Sequence, residues 1–133
     1  MGRNVLATVA ALAVWVAIVS VLGRVLQVSW PEYARVAEAM TFTLAMQMAR
    51  LAIGAVATVA AGWTAALITR SALARLAPGV LLLIGFIPVH LSLWDKFPVW
   101  YHLTFLLSLV PLTLAGVRMA NREQGRPEAW AAR

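Results

Sequence analysis

Residues 40–69 read MTFTLAMQMARLAIGAVATVAAGWTAALIT, thirty positions with a single ionisable side chain, Arg50, and no proline. As a helix this stretch would be about 45 Å long at 1.5 Å per residue, whereas the hydrocarbon core of a bilayer is about 30 Å thick. Its apolar residues run continuously instead of alternating, which excludes a barrel strand and leaves a membrane-spanning helix over about 42–69. Arg50 and Arg70 stand twenty positions apart, the rise that crosses the core. With Arg70 at one boundary, Arg50 falls near the other, and the residues before it must tilt, bend or stand above the lipid. Gly54, Thr58 and Gly62 recur every fourth residue beside Ala57, Ala61 and Ala65, a small-residue stripe that lets another helix approach closely, inside the chain or across a dimer. The Thr58 hydroxyl can bond back to the Gly54 carbonyl one turn earlier.

Upstream, residues 5–23 form a second apolar run with no ionisable group. It is too long for the core of a usual signal peptide, and Gly23-Arg24-Val25 makes a poor cleavage site, so it reads as a retained span. Between the two runs, Ser29 and Glu32 have capping-box spacing and Pro31 suits a first helical turn. The helix they open, over about 30–40, is amphipathic: Tyr33, Val36, Ala37 and Met40 share one face, and Glu32, Arg35 and Glu38 the other. It reads as an outer interfacial helix anchored by Trp30 and Tyr33. Downstream, Pro78-Gly79 opens a third span over 79–94, interrupted by Pro88. Asp95-Lys96-Phe97-Pro98 makes a tight turn, and a fourth span over 99–117 contains Pro111. Residues 118–133 form a polar, arginine-rich tail.

The fold class is therefore all-α: a polytopic membrane protein with four transmembrane helices in one bundle and a short amphipathic helix between the first two. Composition agrees, with 62% hydrophobic and only 12% charged residues among 133. The net charge of +6 does not indicate nucleic acid, because basic residues stand singly at the ends of apolar runs and form no basic face. With the N-terminus inside, the cytoplasmic side holds Arg3, Arg70, Arg75, Arg118, Arg122, Arg126 and Arg133, against Arg24, Arg35 and Lys96 outside, Arg50 being set aside. Seven against three places both termini in the cytoplasm. The absence of cysteine excludes disulfides, thiolate metal sites and thiol oxidoreductase chemistry.

Nearly every ionisable residue that enters the bundle falls in its outer half: Arg50, His90, Asp95, Lys96 and His102, ringed by Trp94, Trp100 and Tyr101. Intramembrane ionisable groups are costly and are functional suspects. An Arg50–Asp95 pair could be a bundle staple, and Arg50 alone could snorkel to headgroups. His90, just after a proline, could bond a freed carbonyl, and His102 reads as interfacial. Trp30, Tyr33, Trp94, Trp100 and Tyr101 read as the aromatic belt of a membrane protein. Taken together, the ionisable residues would instead form a polar cup in which Arg50 holds an anionic headgroup or carboxylate. No histidine spacing marks a metal site, and His90 with His102 is only a remote haem pair. No cofactor is expected.

The stretches MTFTLAMQMARL at 40–51 and LWDKFPVWYHLTF at 93–105 resemble small four-span proteins of proteobacterial inner membranes, over most of the chain. That group has no assigned activity, so the resemblance implies a location and nothing about chemistry. Three functional expectations follow. The first is a non-enzymatic accessory or structural subunit, packing against itself or a larger complex through the span-two stripe. The alternative is a small transporter, channel or lipid-binding protein that uses the polar cup. The last is a haem-binding membrane protein. Membrane lipids are partners under any of them.

Overall fold

A computed structural model describes residues 1–125; the rest of the polar tail, with Arg126 and Arg133, lies outside the described residues. The described residues form five helices: α1 (Gly2–Ser29), α2 (Pro31–Ala37), α3 (Leu44–Ile68), α4 (Ala72–Ser92) and α5 (Val99–Gln124). Four of them, all but α2, are long and apolar enough to cross a membrane, and the protein is a multi-pass, all-helical membrane protein.

Every span departs from its apolar run at one end or both, because backbone hydrogen bonding and capping set helix ends, whereas hydropathy marks only the part that needs lipid. The run at 5–23 is the middle of α1, which continues through Arg24 and Gln27, whose side chains meet at 3.4 Å. α1 stops at Ser29 because the residue before a proline is driven out of helical geometry: Trp30 has φ −129° and ψ 89°. Trp30, not Ser29, is therefore the N-cap of α2, no side-chain cap bond forms, and the expected capping box is absent. α2 ends at Ala37, short of 40, and Met40 takes a left-handed φ of 57°. The thirty-residue helix is accordingly shortened: Thr43 turns extended, accepts the Met46 amide at 3.4 Å, and starts α3 at Leu44.

The third span is longer than expected. Ser71 caps α4 by accepting the Ala74 amide, so the helix begins at Ala72 and carries Pro78 inside it. Pro78-Gly79 is a packing surface and not a start. Pro78 is almost fully buried, and a Cβ at Gly79 would meet the Thr113 hydroxyl of α5 at 2.5 Å. α5 runs past 117 to Gln124, held by buried Ala120 and by Asn121, which accepts from Arg75 at 3.0 Å.

α3 is the central element and packs chiefly against α1 and α5. The core joins Ala11 and Trp15 of α1, Ala57, Ala61 and Ala65 of α3, Leu82 of α4 and Leu109 of α5. Small residues on α3 let the neighbours come close. At one end of the molecule, Arg3 donates to the Ile68 carbonyl at 2.6 Å, and Arg75 to those of Thr69 at 2.7 Å and Ala66 at 3.4 Å. Both arginines cap the carbonyls that end α3, where a helix dipole favours cations. The opposite end, here the α2 end, carries α2 and the α4–α5 turn.

Candidate functional site

Arg50 lies on the second turn of α3 at the α2 end. Its Nη1 donates to the Tyr33 hydroxyl at 2.7 Å and its Nε to the Tyr101 hydroxyl at 3.3 Å. The guanidinium carbon stands 4.8 Å from the Phe42 ring centroid and 5.9 Å from that of Phe97. These rings form a ladder, Tyr33–Phe42 at 5.0 Å, Phe42–Phe97 at 5.9 Å and Phe97–Tyr101 at 4.7 Å, that draws together α2, the link before α3, the α4–α5 turn and α5. An arginine over aromatic faces gains cation–π attraction, which grows as water is removed. Yet Arg50 remains exposed at the mouth of this cage.

The aromatic-belt expectation is thus corrected for two residues. Tyr33 and Tyr101 are 3% and 5% exposed and point their hydroxyls at Arg50. A tyrosine that can reach a cation satisfies its polar tip there and need not face the headgroups. Trp94 and Trp100 remain exposed, and Trp30 is half-buried near Tyr33. Asp95 and Lys96 are exposed on the α4–α5 turn, and Asp95 does not meet Arg50. Among the described residues the one ion pair is Arg35–Glu32 at 3.3 Å on the outward face of α2. The Arg50–Asp95 staple is absent: Arg50 turns toward the two tyrosine hydroxyls, and Asp95 stays exposed on the turn.

The histidines meet each other. His90 Nδ1 and His102 Nδ1 are 2.8 Å apart, a hydrogen bond that needs one N–H and one lone pair. His102 is fully buried and not interfacial, its ring stacked on Trp94 at 4.8 Å. His90 bonds this ring and not a carbonyl freed by Pro88, and it lies against Phe105 at 4.8 Å. His102 Nε2 is the buried side-chain nitrogen without a partner among the described residues. Hydrogen-bond bookkeeping assigns the tautomers: with His102 Nδ1 as donor, the unpartnered Nε2 is a bare lone pair and no buried N–H is orphaned. As the rings stand, the two Nδ1 atoms face each other, so neither is open to an iron while their hydrogen bond holds.

The small-residue stripe is occupied within the chain. A Cβ on Gly62 would strike the Thr113 backbone of α5, and one on Gly116 the Val59 carbonyl of α3. Gly54 faces Phe105, and Thr58 donates to the Gly54 carbonyl at 2.7 Å while accepting from Trp15 Nε1 at 3.1 Å. α5 and α1 therefore cover the face expected to serve a partner.

Between Arg50 and Trp15 lies a cleft of about 160 Å³, walled by Val19, Gly23, Ile53, Phe86 and Phe105. Its polar groups are the Arg50 guanidinium and the hydroxyls of Tyr33 and Tyr101. The histidine pair lies behind its wall, in contact with Phe86, Tyr101 and Phe105. Hydropathy alone marked Arg50 but not the walls: Trp15, Phe86 and Gly23 look like ordinary span residues until helix rotation is known. Comparison with protein-family models, curated proteins and solved structures finds no match for this chain.

Proposed function

We propose that this chain is a bacterial inner-membrane protein, with both termini cytoplasmic, that binds an anionic amphiphile through Arg50 in the outer half of the bilayer. One observation carries the reading. Among the described residues Arg50 has neutral hydroxyls and aromatic faces as partners but no carboxylate, and it opens onto an otherwise apolar cleft. A guanidinium near hydrocarbon is stabilised by an anion brought to it, and apolar walls suit the remainder of a lipid-like molecule. Among the described residues, Arg3, Arg70, Arg75, Arg118 and Arg122 stand on one side, and Arg24, Arg35 and Lys96 on the other. That asymmetry supports the orientation, and the resemblance to proteobacterial four-span proteins supports the location.

A channel is less well supported. Beyond Thr58 the core is Ala61, Ala65 and Leu109, and the buried hydroxyl of Thr113 turns back on the Leu109 carbonyl at 2.8 Å. Recognition at one end, without a polar path to the other, fits binding better than conduction. The accessory-subunit expectation rested on a stripe that α5 fills, so a protein partner would need some other face.

The test is native mass spectrometry from nanodiscs of mixed zwitterionic and anionic lipid. Wild type should retain an anionic amphiphile, and Arg50→Gln should lose it while Arg50→Lys keeps part. Equal retention by wild type and Arg50→Gln would sink the reading.

A further inference from the structure

We propose that the occupant of this cleft is a single-chain carboxylate amphiphile, of the fatty-acid class, with its carboxylate on Arg50 and its chain running toward Trp15. The inference rests on the Arg50 reading and narrows it.

The head is defined by donors. A guanidinium carries five N–H groups, of which Arg50 commits one from Nη1 and that on Nε to the tyrosines, leaving three. Tyr33 and Tyr101 use their oxygens as acceptors from Arg50, so both phenolic O–H groups remain free to donate. Among the described residues no carboxylate lines the cleft. The mouth is therefore rich in donors and wants a ligand head that only accepts. A carboxylate does so with two oxygens in one plane, the shape that a guanidinium fork matches.

The tail is defined by size and by one glycine. A dry cavity of about 150 Å³ holds a benzene molecule, so about 160 Å³ takes about the first six carbons of one chain and has no room for two. Gly23 forms part of the α1 wall, and a Cβ built there would meet nothing within 4 Å. Mid-helix glycine normally weakens a helix relative to alanine. Here its lack of a side chain leaves the cleft open instead of letting a neighbouring helix approach, which separates Gly23 from Gly62 and Gly116.

The test uses the full chain in phosphatidylcholine nanodiscs, titrated calorimetrically at neutral pH with decanoate, methyl decanoate and inorganic phosphate. Parallel discs contain phosphatidylglycerol. Decanoate should bind, and its methyl ester should bind about tenfold more weakly or worse, since charge-assisted hydrogen bonds are lost. Gly23→Leu, whose Cβ would meet nothing within 4 Å and whose branch would enter the cleft from α1, should weaken decanoate by a similar factor. Val19→Phe, on the same wall, gives an independent block should the first variant not fold. Wild-type affinity for decanoate in both blocked variants, or equal affinity for acid and ester, overturns the proposal. Inorganic phosphate binding as tightly as decanoate overturns it too, because the chain would then contribute nothing. Arg50-dependent retention of phosphatidylglycerol without decanoate binding overturns the single-chain assignment but leaves the anion site standing. If no anion depends on Arg50, both fall together.

Discussion

His90 and His102 show how a residue's role depends on what remains when its partner is removed. Replacing one member of a buried hydrogen-bonded pair costs most when the survivor is left unpaired. His102 is fully enclosed, so His90→Phe would leave it with both nitrogens unsatisfied in an aromatic pocket. His102→Phe removes a group that already has one orphan nitrogen, can keep the stack on Trp94, and leaves His90 at the partly accessible position. His90→Phe should therefore be more destabilising than His102→Phe by about 1–3 kcal/mol, and the double Phe variant should recover part of the loss. Thermal unfolding in a fixed detergent would check this, and the reverse order would contradict the tautomer assignment. Arg50, His90 and His102 were legible as suspects because charge stands out in an apolar run. Their partners were not. Sequence spacing puts Asp95 at the same depth as Arg50, but which hydroxyl or ring a guanidinium meets depends on helix rotation, which a run of uniformly apolar residues leaves undetermined.

At the scale of elements, α3 and α5 are held together by what their glycines lack. Gly62 admits the Thr113 backbone and Gly116 admits the Val59 carbonyl, so each helix lies in a notch of the other. With lipid as apolar as the core, such close van der Waals packing is a main source of association between spans. Gly62→Ala and Gly116→Ala should each destabilise the bundle by about 1–3 kcal/mol, the usual cost of overpacking. Gly85→Ala, whose Cβ would meet nothing within 4 Å, should be neutral or mildly stabilising. Unfolding titrations in mixed micelles measure all three, and equal effects would contradict the interlocked geometry. The stripe around Gly62 was legible from its strict four-residue period, whereas its partner surface on α5, with Thr113, Gly116 and Ala120, is spaced less regularly and does not stand out. Helix ends were the least legible feature. Ser71 outcompetes Pro78 for the start of α4, and Thr43 overrides an apolar pattern that runs unbroken through Met40, because single caps act on a few backbone groups that hydropathy does not register.

For the whole molecule, the arginines of the terminal end do two jobs. Arg3 and Arg75 close the carbonyls of α3, and Asn4 and Asn121 bring α1 and α5 into the same network through Thr69 at 2.6 Å and Arg75 at 3.0 Å. The opposite end has the amphipathic α2, whose outward face holds Glu32, Arg35 and Glu38. The fold would therefore tolerate either orientation, and the orientation proposed above rests on the excess of arginine beside the terminal end, the kind of bias that favours a cytoplasmic side. The chain contains no cysteine, so single-cysteine labelling reports without background. Glu38→Cys and Lys96→Cys, both at exposed positions, should react with an impermeant maleimide added to intact spheroplasts. Arg122→Cys, exposed near the end of α5, should react only after the membrane is opened. Adding two positive charges and removing two negative ones at the α2 end, by Glu32→Arg and Glu38→Arg, should weaken that bias and bring part of the population to the opposite pattern. Labelling of Arg122→Cys but not Lys96→Cys in intact spheroplasts would reverse the orientation, and with it would move the Arg50 cleft to the cytoplasmic leaflet and its supply of amphiphile.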